Sequence, residues 1–195
     1  MQQTSPARLA LFLLGLSLPA SAQVDLGLAL TFPQAKNPTV VEEKSSVGLQ
    51  VGAQFLNSDI FQGRTHVGWI GLNSQSFEAK VDRSYIESNI FFAGIDVNRW
   101  VVGRIMGLLG GMEVRYSHRS MMSAPQKDRR RGTLIASERV LDLAPSLGVR
   151  FMLSSGSNPL YLEARYLHPL ILNRFDHNGL DPPRPELRFS IFLLL

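Results

Sequence analysis

Val24-Asp25-Leu26-Gly27-Leu28-Ala29-Leu30-Thr31-Phe32 carries the reading of the whole chain. Val24, Leu26, Leu28, Leu30 and Phe32 fall on one face of an extended backbone; Asp25, Gly27, Ala29 and Thr31 fall on the other. Side chains of a β-strand alternate between two faces, so an unbroken period of two predicts a strand and excludes an amphipathic helix. Seven further stretches repeat the pattern, at 47–55, 61–69, 85–97, 101–118, 141–151, 160–166 and 187–195. Two of them carry a flaw. Glu87 and Asn89 break the alternation of the fourth strand, which means either a bulge there or that this early part is not strand. Pro145 has no N–H to give to a ladder and requires a local irregularity in the sixth.

The connections discriminate further. They span 33–44, 57–59, 73–83, 98–100, 119–139, 154–158 and 167–185, so long and short alternate throughout. Met121, Met122 and Pro125 suggest an irregular tip for the fifth connection. Short turns on one side and long loops on the other are the habit of a barrel in an outer membrane. A soluble barrel has no physical reason to sort its loops this way. The fold expected is therefore all-β: an eight-stranded antiparallel up-and-down transmembrane β-barrel.

Composition agrees. The chain has 195 residues, 18% charged and 45% hydrophobic, with 16 Gly and no Cys. That argues against a disordered chain, a disulfide scaffold and a Cys-based metal or redox site. No apolar stretch is long enough for a helical span. Arg8, the apolar run from Leu9 to Leu18 and the end Ala20-Ser21-Ala22 form the three parts of a secretory signal peptide. Residues 1–22 are thus expected to be removed and 23–195 to form the barrel. An exported chain without Cys suits a bacterial envelope protein.

Alternation alone does not say which face points outward. A soluble ligand-binding barrel would hold its apolar face inside. Here the polar face is poor in Lys and rich in small residues: Gly48, Gly52, Gly68, Gly94, Gly107, Gly111 and Gly148. Small residues suit the crowded interior of eight strands, and a water-facing surface would carry more Lys and Glu. Phe32, Phe55, Trp69, Tyr116, Phe151 and Tyr166 stand near the ends of the apolar face, where interfacial girdles form. The polar face is then the lumen. It holds Arg64, Glu113, Arg115, Asp142, Arg150, Glu163, Arg165 and Arg188. Buried charges are costly unless paired, so these are expected to form a network. It reads either as a plug that stabilises a narrow barrel or as a constriction for small ions; a normally filled interior favours the plug.

The chain end, Arg188-Phe189-Ser190-Ile191-Phe192-Leu193-Leu194-Leu195, resembles the terminal-strand signal read by the bacterial barrel-assembly machinery. Arg188, Leu193 and Leu195 fit its places; Ser190 replaces the usual Gly, and Leu195 the usual aromatic. Residues 144–150, Ala-Pro-Ser-Leu-Gly-Val-Arg, also resemble strands of OmpA- and OmpX-type outer-membrane proteins. The resemblance implies an outer-membrane location, assembly by that machinery and a monomeric barrel, and it leaves the activity open.

Between Arg119 and Arg131, within the fifth connection, Arg119, Lys127, Arg129, Arg130 and Arg131 stand against Asp128 alone, an excess equal to the chain's formal net charge of +4. Arg matches phosphate geometry, so the segment reads either as a contact for lipopolysaccharide, expected as a partner alongside membrane lipid, or as a plain solvated loop; nucleic acid is not expected, for an exported chain. His118-Arg119-Ser120 is faintly similar to the His-x-Ser of lipid A deacylases, but Met121 and Met122 stand where their Asn and Gly would be. Glu138 is the only nearby acid to complete such a site. Asp176, His177 and Asp181 read first as a turn. No catalytic residue, metal site or cofactor is therefore assigned, and the expectation is a structural or surface-interacting barrel.

Overall fold

The computed structural model describes residues 23–33, 46–71, 77–78, 82–125, 133–175 and 183–195. The expected signal peptide lies outside them. The strands are β1 (Gln23–Pro33), β2 (Ser46–Asn57), β3 (Phe61–Gly71), β4 (Phe77–Glu78), β5 (Asp82–Val102), β6 (Met106–Pro125), β7 (Thr133–Ser154), β8 (Leu160–Leu167), β9 (Leu170–Phe175) and β10 (Glu186–Leu194). Eight of them close a ring in which every neighbour is antiparallel. β1 pairs both β2 and β10, which shuts the barrel. Closure leaves no sheet edge around the ring, which is what an apolar solvent demands of a spanning sheet. β4 adds a short pairing to β5, and β9 continues along β7 beyond β8.

The apolar face points outward. Along β1, Leu26 and Leu28 are each 53% exposed, while Asp25 is 0% exposed. The same split runs along β2, where exposed Val47, Leu49 and Val51 alternate with buried Gly48, Gln50 and Gly52. This excludes the soluble ligand-binding barrel, whose apolar side chains would be inside. Aromatics mark both ends of the belt. Phe32 stacks edge-on against Phe189, with centroids 5.7 Å apart. Trp69 donates its indole N–H to Asn89 Oδ1 at 3.1 Å. Phe55 and Phe61 are exposed near the opposite end.

Several boundaries depart from the sequence reading. The second short turn lies at 103–105, not 98–100. Asn98 reads as a turn former, yet it is buried in the lumen, and the chain reverses at Gly103 (φ 51°), closed by the Ile105 N–H donating to the Val102 carbonyl at 3.0 Å. No bulge occurs at Glu87 or Asn89: β5 and β6 stay in register from Asp82 to Trp100. The connection expected at 119–139 is mostly strand, since β6 runs to Pro125 and β7 starts at Thr133; only a register shift at Met121/Met122 reflects the irregular tip. β9 likewise occupies part of the seventh connection. Above the lipid belt the outward places carry polar side chains such as Glu87, Asn89, His118 and Arg139, so a strand there loses the alternation that betrays it.

Candidate functional site: the lumen charge lattice

All eight charged residues assigned to the lumen are buried in it. Their positions follow from strand parity, and their partners from register and shear. Arg64 on β3 forks onto Asp25 on β1, with Nε to Oδ2 at 2.7 Å and Nη2 to Oδ1 at 2.5 Å. Arg165 on β8 forks onto Asp96 on β5 through two bonds of 2.6 Å and also reaches Glu163 at 2.5 Å. Arg150 on β7 bonds Glu163 through Nε at 2.7 Å and Gln62 Oε1 at 2.6 Å. Arg188 on β10 joins Glu113 at 2.7 Å to Glu186 at 2.9 Å, and Arg115 joins Glu186 at 2.9 Å to Asp142 at 2.7 Å.

Asp25, His66, Asp96 and Glu186 were not singled out in the sequence, and they complete the lattice. His66 presents Nδ1 to Asp96 Oδ2 at 3.1 Å and Nε2 to Glu113 Oε1 at 3.1 Å. The Nε2 contact is a hydrogen bond, whereas Nδ1 stands at ion-pair distance from Asp96 without hydrogen-bond geometry. Arg64, Arg115, Arg150, Arg165 and Arg188, with His66 between two carboxylates, stand against Asp25, Asp96, Glu113, Asp142, Glu163 and Glu186. Arg64 to Asp96 at 3.8 Å ties the Asp25 pair to the rest. Forked guanidinium pairs are the geometry in which buried charge is best compensated.

Two further features fill the lumen. Phe192 lies under the Arg64 and Arg150 guanidinium carbons at 4.4 and 5.3 Å, and Phe92 under that of Arg188 at 4.5 Å. Below them Trp100, Tyr161, Phe192 and Leu194 form an apolar floor near the short turns. Glycine makes room: a Cβ on Gly52 would stand 2.5 Å from Arg64 Nε, and one on Gly94 would stand 2.8 Å from Glu113 Cγ and His66 Cε1.

Arg119, expected in an outer basic loop, instead sits on β6, buried, with Nη1 donating to Glu138 Oε1 at 2.9 Å; Arg174 donates to the other oxygen at 2.5 Å. Its odd parity with Glu113 and Arg115 turns it inward. Lys127, Arg129, Arg130 and Arg131 lie outside the described residues, as do Asp176, His177 and Asp181. The His118, Ser120 and Glu138 grouping does not converge. His118 is exposed on the outer wall, whereas Glu138 is fully buried in the lumen.

A closed ring of eight strands, apolar outside and ion-paired inside, defines an outer-membrane-type eight-stranded β-barrel. The chain is similar to a major outer membrane protein from Thermus thermophilus: TM-score 0.54 and 13% identity, over 90% of this chain and 100% of that one. It is also similar to Ail, the attachment invasion locus protein of Yersinia pestis (TM-score 0.48, 10% identity, 89% and 95% of the two chains). A further match is Neisserial surface protein A, with TM-score 0.46 and 9% identity over 89% and 96%. At such identities the likeness is one of fold. No family model matches the chain, and no curated protein matches it in sequence.

Proposed function

We propose that this protein is an outer-membrane barrel with a structural and surface-interacting role. Its lumen is closed, its long connections face outward from the cell, and it performs no catalysis. The lattice from Asp25–Arg64 to Arg115–Asp142 carries the reading. An ion crossing the lumen must separate buried partners, and breaking a buried pair costs about 3–5 kcal/mol. Eight strands enclose room for side chains only; water-filled channels need many more. The closed ring leaves no edge for strand exchange, which suits a monomer. Outer-membrane lipid and lipopolysaccharide are its surroundings. The terminal strand is the segment offered to the barrel-assembly machinery. No cofactor or nucleic acid has a role.

Planar-bilayer recording on the purified, detergent-refolded protein tests the closed lumen. The expected record is flat at voltages that open porins, from a sample whose gel mobility shifts on boiling. Discrete, reproducible openings from that same folded sample would overturn it.

A further inference from the structure

The outer wall changes chemistry along one line. Within the belt the apolar outward run of β5, β6 and β7 reaches Phe91, Tyr116 and Leu141, which sit opposite one another in the ladder, and Leu134 stands apart from it farther along β7. One outward position higher stand Asn89, His118 and Arg139, again opposite one another. Directly opposed side chains have Cβ atoms about 4.5–5.5 Å apart, so the three converge on an area the size of a headgroup. His118 and Arg139 are exposed. Aromatics flank the row: Trp69 bonds Asn89 at one end, and Phe175 sits opposite Arg139 at the other, 42% exposed. The indole N–H occupies Asn89 Oδ1 and so leaves the amide N–H groups as the donors on offer. Arg139 has other contacts within the protein, and five guanidinium donors allow it to serve an anion as well. Glu87, the next outward residue on β5, is exposed and repels an anion placed higher.

We propose that Asn89, His118 and Arg139 form an external site for the phosphate of a phosphorylated glycolipid in the outer leaflet. The inference rests on the orientation argued above, with the long connections outside. Acyl chains end where an apolar belt ends, and their headgroup phosphates lie at that height. The row offers an Arg fork, an imidazole and an amide there, while Phe91, Tyr116, Val114 and Met112 receive the chains below. The row lies on the open outer wall, so the lipid's acyl chains supply the rest of the binding. The site is made of wall residues and owes nothing to Lys127, Arg129, Arg130 or Arg131.

The chain contains two Trp residues, and Trp100 is buried in the floor. A Trp100→Phe variant therefore leaves Trp69 as a reporter beside the row. It is titrated in detergent with bisphosphorylated lipid A, with dephosphorylated lipid A and with inorganic phosphate. Native mass spectrometry of the unaltered protein counts bound lipid A independently. Charged hydrogen bonds of this kind predict that bisphosphorylated lipid A binds about tenfold tighter than the dephosphorylated form. His118→Gln with Arg139→Gln should remove that advantage while keeping the boiling-dependent gel shift. Arg129→Gln, Arg130→Gln and Arg131→Gln together should leave it intact. Equal binding of the two lipids, saturation by inorganic phosphate alone, or loss only in the loop variant would overturn the site. Conductance in bilayers would refute the closed lumen without touching this result.

Discussion

Asp96 receives a bidentate fork from Arg165 and lies within ion-pair distance of His66 and Arg64, all inside the barrel. Asp96→Asn keeps the shape and removes the charge, leaving Arg165 and His66 under-compensated. The expected loss is about 3–5 kcal/mol, read as a lower temperature for the boiling-dependent gel shift. Adding Arg165→Gln should return part of it, since coupled neighbours are not additive; a purely additive double variant would show that the pair is not coupled. Glycines give a second contrast. Gly52→Ala forces a Cβ to 2.5 Å from Arg64 Nε, whereas Gly110→Ala meets nothing nearer than Leu147 Cδ2 at 4.0 Å. Overpacking predicts a cost of about 1–3 kcal/mol for the first and none for the second. The urea midpoint in lipid bilayers measures both. At this scale the sequence was half legible. Parity turned Arg64, Glu113 and Arg165 inward correctly. Asp96 is hard to see in the sequence because Glu87 and Asn89 blur the alternation of its strand, and Glu186 because it sits at a strand end. Who pairs with whom needed the shear of the closed ring, which no local pattern contains.

β7 and its neighbour β8–β9 show how an element absorbs a residue that does not fit. Leu167 pairs with Ser146 and Leu170 with Leu143, so β8 and β9 lie in one continuous register interrupted at His168-Pro169. The gap faces Pro145. His168 donates its N–H to the Pro145 carbonyl at 3.1 Å, and the return bond cannot form because proline has no N–H. The irregularity that Pro145 demanded is therefore met by the partner strand, which also carries a proline at the gap. Pro145→Val should supply the missing donor to the His168 carbonyl. It should slow hydrogen exchange at residue 145 and add about 0.5–1.5 kcal/mol. Fast exchange there would mean that Pro169 alone breaks the ladder. Strand ends were the poorly legible part of the fold. The spans within the belt were readable because lipid on one side and a polar lumen on the other write a period of two. Past Tyr116 and Phe91 the outward places hold Glu87, Asn89, His118, Ser120 and Arg139, so the apolar half of the alternation is lost while the backbone pairing of β5, β6 and β7 runs on.

The barrel as a whole is lopsided. β5, β6 and β7 have 21, 20 and 22 residues, whereas β1 and β10 have 11 and 9. Three adjacent strands thus rise above the belt as a paired wall. The lattice proposed to close the lumen lies below it, ending at Arg115–Asp142 and Glu186, with Arg119–Glu138–Arg174 as a separate cluster above. Ring closure and lattice should therefore not depend on the wall. Ser120 and Ser137 face each other in the ladder, so excising residues 121–136 and joining the strands through Asn-Gly, a pair suited to tight hairpins, preserves the register beneath. Folding into vesicles, the gel shift on boiling and an inactive conductance record should all survive this excision. A barrel that no longer folds would show instead that the wall guides closure of the ring. Retained folding with new conductance would place the seal above Arg115.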